Sequence, residues 1–258
     1  MATVYIAPTA QGSADGTSEA NAYAIGSLSS AESDAGSGGT IFFLDGTYTT
    51  TVPTFASDGV TYKSLNLHGA KWQPSSYSYL QLSPGSVGIT LSGFHFSDLR
   101  LNTSGSTGTN VMEFCKFAGT GNYTGHYISA SGTPLDVNFC TFAATFSDST
   151  EIIFRQQAGS TMNGCSVYVD PAGTVSAGGI TVTFSGTVKN TIFLSTDSSK
   201  IGTTFASSTS NCCFHDFGSG NTSGGTNNIF ADPQFVDPAN GDLRLRPSSP
   251  CIGAATTS

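Results

Sequence analysis

The chain has 258 residues, of which 10% are charged, and its 17 acidic against nine basic side chains give a net charge of −8. That balance opposes the phosphate contacts that dominate nucleic-acid binding, and no run of lysine or arginine offsets it. No apolar stretch approaches the roughly 20 residues needed to cross a bilayer, and 31 glycines among many Ser, Thr and Asn residues favour turns and strands over long helices.

In chain order, TVYIAPTAQGSADGT opens with a short β run and passes into a Gly/Ser/Asp loop. No basic stretch followed by an apolar core precedes it, so no Sec-type signal is visible and synthesis in the cytoplasm is expected. From Ala20 to Ala35, Ala22, Ile25, Leu28 and Ala31 recur at helical spacing and predict one short amphipathic helix. GGTIFFLDGTYTT (38–50), YKSLNLHGAKW (62–72) and YLQLSPGSVGITLSGFHF (79–96) read as strands separated by turns. Among them Trp72, Tyr77 and Tyr79 suit either a sugar-stacking patch or the sealing of a core beneath a loop.

The centre of the chain repeats. Cys115, Cys140 and Cys165 are evenly spaced, each inside a short similar phrase: EFCKF, NFCTF and NGCSV. Just beyond the cysteines runs a second column of Phe96, Phe117, Phe142, Val167, Phe193 and Phe214, whose central members keep the cysteine interval and whose outer ones are close to it. Equal spacing of an apolar phrase is what a coil of parallel strands leaves in a sequence, because every turn returns the same side chain to the same interior place. Strand parity sends the Cys and Phe columns inward and Lys116, Thr141 and Ser166 outward. Roughly eight or nine rungs at about 4.8 Å each give a rod about 40 Å long. The helix then covers strand edges that would otherwise template aggregation.

Neighbouring cysteines of such a column are within pairing distance, yet three cannot pair completely and a buried thiol packs as a small apolar group, so free thiols are expected. Adjacent Cys212 and Cys213, which His215 follows, face opposite ways in a strand and cannot readily clasp one ion, and His68 and His95 have no second ligand nearby in sequence, so no metal or other cofactor is expected. At the C-terminal end, IFADPQFVDPANGDLRLRPSSPCIGAA has turns at Asp232 and Asp237, a tight Asn240-Gly241 turn and alternating Leu243 and Leu245. It reads as a closing hairpin with an irregular cover. The whole chain is thus one all-β domain. Residues 1–37 form the N-terminal strand, loop and capping helix, 38–228 the rungs and 229–258 the C-terminal cap.

The two ends carry a resemblance. VYIAPTAQGSADGTSEANAYAI followed by GGTIFFLDGTYTT, and the closing ADPQFVDPANGDLRLRPSSPCIGA, resemble the right-handed parallel β-helix proteins of the pectate-lyase-like superfamily, found in secreted bacterial polysaccharide lyases and in bacteriophage tailspikes. The resemblance implies the fold across nearly the whole chain, but this scaffold carries lyases, hydrolases, epimerases and adhesins alike. The acid pairs of the hydrolases are absent, as are the phrases NTD, GHG and RIK and a recognisable set of Asp ligands for calcium beside an arginine base.

One constellation stands out. His126 and Glu151 are separated by the same interval as the column cysteines, which would place them on adjacent rungs, with Arg155 further along the strand and Tyr123 and Asp148 in equivalent loops. An imidazole, two carboxylates, a guanidinium and an aromatic face can hold a sugar, or abstract a proton from a uronic acid. The alternative is a solvated surface ion pair worth about 0–1 kcal/mol. The reading that follows is a virion protein, a bacteriophage tail or surface spike made in the host cytoplasm. It would recognise host polysaccharide without catalysis, beside other virion proteins and as a homotrimer. The alternatives are a polysaccharide lyase or glycoside hydrolase, secreted, and a purely architectural virion component in which outward Ile128 and Ile153 contact neighbouring subunits.

Overall fold

A computed structural model describes the chain apart from residues 1, 50–53, 75–77, 104–106, 120–127, 131–132, 147–151, 157, 172–174, 176–178, 206–208, 218–224 and 256–258. Three parallel sheets of ten, eight and seven strands run the length of one solenoid, and each coil contributes a strand to the first, second and third sheet in turn. A representative coil consists of Asn110–Glu113, Lys116–Gly119 and Ile128–Ala130.

Register follows the repeat. Phe96, Phe117, Phe142, Val167, Phe193 and Phe214 are partners in successive strands of the second sheet. Ring centroids along this column lie 4.8 Å apart for Phe96–Phe117, 4.9 Å for Phe117–Phe142 and 5.1 Å for Phe193–Phe214, so aromatic stacking follows the strand spacing. Cys115, Cys140 and Cys165 form the neighbouring inner column, buried as free thiols that donate to the carbonyls of Glu113, Asn138 and Asn163. Burial raises the Cys140 thiol well above its ordinary value, which makes the column packing material and not a source of nucleophiles.

From Gly93 onward the corner between the first and second sheets turns on a single residue with left-handed backbone, whereas the coil before it makes the turn through residues 65–69. Gly93, Phe114, Phe139, Gly164, Asn190 and Asn211 hold it on successive coils, with φ between 49° and 76°. Each N–H there donates to a carbonyl of the next coil, as Phe114 does to Asn138 at 3.0 Å and Phe139 to Asn163 at 2.9 Å. This fixed corner is the position held by Phe or Gly before each column cysteine in EFC, NFC and NGC. Glycine and asparagine accept that conformation cheaply, whereas phenylalanine does not.

At the N-terminal end the α-helix is Leu28–Ala35, shorter than the predicted Ala20–Ala35. Tyr23–Ala24 instead pairs as a strand with Ile6–Ala7, and two short 3-10 turns, Glu19–Asn21 and Ile25–Ser27, flank it. Leu28, Ala31 and Ala35 seal the main core above Thr40–Phe43. The Tyr62 hydroxyl donates to Glu32 and ties the helix to the coil below.

The C-terminal hairpin, Phe235–Asp237 against Asp242–Leu245, forms as the turn chemistry indicates. It lies along the side of the rod and does not close its end: Phe235 and Leu243 cover Tyr168 and Leu194 on the outer face of the second sheet in a separate apolar cluster. Three surface expectations change. Ile128 is fully buried and cannot be a contact residue, because its strand places Ile128 beside Leu101 in the core. Trp72 is fully buried and stacks on Tyr48 at 4.9 Å, so it seals the core, whereas Tyr79 is exposed and meets Arg100 at 5.6 Å. Tyr77, and the side chain of Ile153, lie outside the described residues.

Phe117 sits between two stacked neighbours in a close-packed column. Phe117→Ala is expected to cost about 3–5 kcal/mol, whereas Thr141→Ser on the outer face changes stability by less than about 0.5 kcal/mol. Chemical denaturation followed by circular dichroism measures both.

Candidate functional site

The outer face of the second sheet gathers most of the chemistry that the described residues offer. Outward positions form rows because partner residues superimpose from coil to coil. One row runs Thr47, Lys71, His95, Lys116, Thr141, Ser166, Ile192 and Cys213. The next runs Ser97, Ala118, Ala143, Tyr168, Leu194 and His215. Two of the nine basic residues therefore stack on either side of a histidine, about 4.8 Å from it along the rod.

The electrostatics of this row are strained. Burial, and then the charges of Lys116, Lys71 and His68, push the His95 imidazole down to about 4. His68, at the adjoining corner, is also lowered, mainly by burial, and its Nε2 lies 2.9 Å from the Phe114 carbonyl. Among the described residues neither Lys71 nor Lys116 is in a salt bridge. The carboxylate acting on Lys116, Asp242, is held by two hydrogen bonds from Arg244 at 2.8 and 2.6 Å. With Asp242 shared between Arg244 and Lys116, and Lys71 outside any salt bridge among the described residues, the two lysines beside a neutral imidazole favour an anion from outside.

Beside the row lies an exposed aromatic pair. Phe114 and Phe139 stack at 5.4 Å with 12° between their planes, and they remain 45% and 53% exposed. Both occupy left-handed corners with φ of 54° and 53°, a conformation costing a bulky residue about 1 kcal/mol. Glycine or asparagine at the other corners avoids that cost, so the pair points to a use for its exposed surface. Phe139 also leans on Gly164, where a Cβ would come within 2.6 Å of its ring.

Two concavities flank the hairpin on this face. One, of about 230 Å³, lies between Ser97, Ala118, Ala143, Tyr168 and the turn Pro238–Asn240. The other, of about 550 Å³, is lined by His215, Asp216, Asp232, Gln234, Arg246 and Ser248. There His215 Nε2 lies 3.6 Å from Asp216, the Arg246 guanidinium donates to the Val236 carbonyl at 3.0 Å, and the Ser248 hydroxyl donates to Gln234. No group of three or more His, Cys, Asp or Glu residues suited to a metal ion occurs among the described residues.

Tyr123, His126, Asp148 and Glu151 lie outside the described residues. Of Arg155 only the backbone is placed, in Ile152–Gln156 of the third sheet, where it pairs with Ser129. The step from Ser129 to Arg155 is longer than the step from Lys116 to Thr141 between the same two coils, because the connections from the second to the third sheet differ in length. Sequence reasoning missed the row of Lys71, His95 and Lys116 because its intervals are unequal and fall in the less regular part of the repeat. Carrying the Phe column back from Phe96 to Trp72 would have found it, since His95–Phe96 aligns with Lys71–Trp72.

The depressed His95 value sets a pH dependence. Its ordinary value near 6.5 belongs to the unfolded chain, so the unfolded state binds the proton first on acidification. Stability is full above about pH 6.5 and falls as pH drops towards about 4. His95→Gln is expected to flatten that slope in melting curves taken between neutral pH and the folded-state value, and an unchanged slope would assign the titration to another group.

Among solved structures, the fold is similar to the crystal structure of pectate lyase Pel9A, with a TM-score of 0.50 and 16% identity over 88% of this chain and 67% of that chain. No protein-family model and no curated protein sequence matches the chain. At that identity the likeness speaks to architecture alone, and together with the three parallel sheets it establishes a parallel β-helix of the pectate-lyase-like type.

Proposed function

We propose that the chain binds an acidic polysaccharide along the outer face of the second sheet. The observation that carries this reading is the row of Lys71, His95 and Lys116, outside any salt bridge among the described residues in a chain of net charge −8. Carboxylate or sulfate groups repeating along a glycan would answer cations repeating along a rod. The exposed Phe114–Phe139 pair offers apolar surface to sugar C–H groups at the same edge. The finer part of the proposal is that the chain serves as a bacteriophage tail or surface spike that recognises a host capsular or cell-wall polysaccharide. Its two terminal phrases resemble a superfamily that includes bacteriophage tailspikes beside secreted lyases, and the absence from the sequence of the superfamily's usual cleavage phrases supports that part.

A catalytic reading is favoured by one specific observation. His95 stays a free base at neutral pH while flanked by cations, an arrangement in which an imidazole could take the proton α to a bound uronate carboxylate. One solved structure of similar fold is that of a pectate lyase. In the binding proposal, polygalacturonate is retained and leaves unchanged.

Affinity electrophoresis in gels containing polygalacturonate, a sulfated glycan or a neutral glucan tests the proposal. Retardation is expected in the anionic gels only. It should weaken as salt rises, because the screening length falls from about 10 Å at about 0.1 M to about 3 Å at about 1 M. Lys71→Ala with Lys116→Ala removes two charged contacts of about 1 kcal/mol each, roughly 30-fold in affinity. Phe114→Asn with Phe139→Asn should weaken binding while keeping stability within about 1 kcal/mol of the parent, because asparagine accepts the left-handed corner. Equal retention by all three gels, or by the double lysine variant, overturns the site. Formation of an unsaturated uronide, abolished by His95→Gln, replaces binding by lyase activity. Absence of the chain from purified phage particles removes the virion role and leaves the glycan site standing.

A further inference from the structure

The six cysteines fall into two chemical environments. Cys115, Cys140, Cys165 and Cys212 belong to the inner column and are buried. Cys213 is the neighbour of Cys212 in the last strand of the second sheet, and strand alternation turns it to the outer face. The C-terminal segment returns to that face after leaving the hairpin, and it brings Cys251 to the cavity that Cys213 lines. That cavity, of about 50 Å³, is lined by Cys213 and Cys251 together with Cys212, Ile192, Ile229 and Ala254. The Cys213 thiol also lies 3.2 Å from the Ala231 carbonyl, which orients its hydrogen.

We propose that Cys213 and Cys251 are a disulfide-forming pair that latches the C-terminal segment onto the last coil when the protein meets an oxidising environment. The pairing rests on geometry. Both residues line the same small cavity although the whole hairpin separates them along the chain, and Cys251 alone among the six is partly exposed. Their protonation supports the same roles. The hydrogen bond between them raises Cys213 and lowers Cys251 to about 7, so near neutral pH Cys251 supplies the attacking thiolate and Cys213 keeps its proton.

With a low-molecular-weight disulfide such as oxidised glutathione as the oxidant, the Cys251 thiolate attacks one of its sulfurs. A mixed disulfide forms and one glutathione thiolate leaves. Cys213 then gives up its proton and attacks the Cys251 sulfur, forming the Cys213–Cys251 bond and expelling the glutathione. Two protein thiols are oxidised, one small disulfide is reduced to two thiols, and the released thiolates take up the protons. The inner column does not compete, since its thiols are buried and Cys140 is held protonated by that burial.

The latch does not depend on the glycan reading. Its structural consequence is that Arg246 and Ser248, which line the larger concavity, lie on the segment that the bond would pin.

The folded protein is incubated with oxidised glutathione at slightly alkaline pH, alkylated under non-reducing conditions, digested and mapped by mass spectrometry. One cross-linked species joining the peptides of Cys213 and Cys251 is expected, with the column cysteines alkylated only after denaturation. Hydrogen exchange across 243–254 should slow on oxidation and return to its starting rate on reduction. Cys251→Ser should give neither the cross-link nor the slowing. Six free thiols, a stable mixed disulfide at Cys251, a bond between any other two cysteines, or unchanged exchange across 243–254 would overturn the proposal. Because the map is made on the unaltered chain, a folding defect in the variant cannot imitate any of these results.

Discussion

The structure depends on one constraint, the single-residue left-handed corner between the first and second sheets. Its N–H donates to a carbonyl of the next coil, as at Phe114, Phe139 and Asn190, so each coil enters the second sheet at the same phase as its neighbour. Once that phase is set, inner columns stack at the strand spacing and close packing follows without further specification. The same phase that aligns Phe117 over Phe142 also aligns His95 with Lys116, and strand pairing brings Lys71 into line with them. Core and surface therefore have one cause. The interior benefits from repetition and the exterior bears its cost, since a repeated cation is a repelled cation.

The interior was the legible part of the sequence. The Phe column and the three cysteines were visible because an inward residue has few acceptable alternatives and recurs at the coil interval. The hairpin was visible through its Asp-Pro and Asn-Gly turns. The helix was overextended because Ala22 and Ile25 fit a helical spacing that strand pairing of Tyr23–Ala24 overrides. Ile128 was assigned outward by carrying the cysteine interval into the third sheet, where the partners Leu101, Ile128 and Phe154 are more widely and less evenly spaced. The basic row went unnoticed for a related reason: outward residues are free to vary, so Thr47, Lys71, His95, Lys116 and Thr141 share a place and no sequence signature.

The hairpin changes what the second sheet can present. By covering Tyr168 and Leu194 with Phe235 and Leu243, it removes an apolar strip from the outer face and divides the remainder. The basic row with its aromatic edge lies towards the N-terminal end, and the concavity around His215, Asp232 and Arg246 lies towards the C-terminal end. A rod whose surface would otherwise be uniform along its axis thus gains a direction, and a long ligand can be read differently at its two ends.

The unequal connections carry a further consequence. From Gly93 onward successive coils keep the first corner at a single left-handed residue, while the strands of the third sheet are reached after connections of differing length, so the step from Leu101 to Ile128 exceeds that from Met112 to Val137. In these coils differences in length are absorbed on one flank of the solenoid and kept out of the other. Such a scaffold separates heritable variation from structural risk. New loops can be acquired beside the third sheet while the corner opposite keeps its conformation.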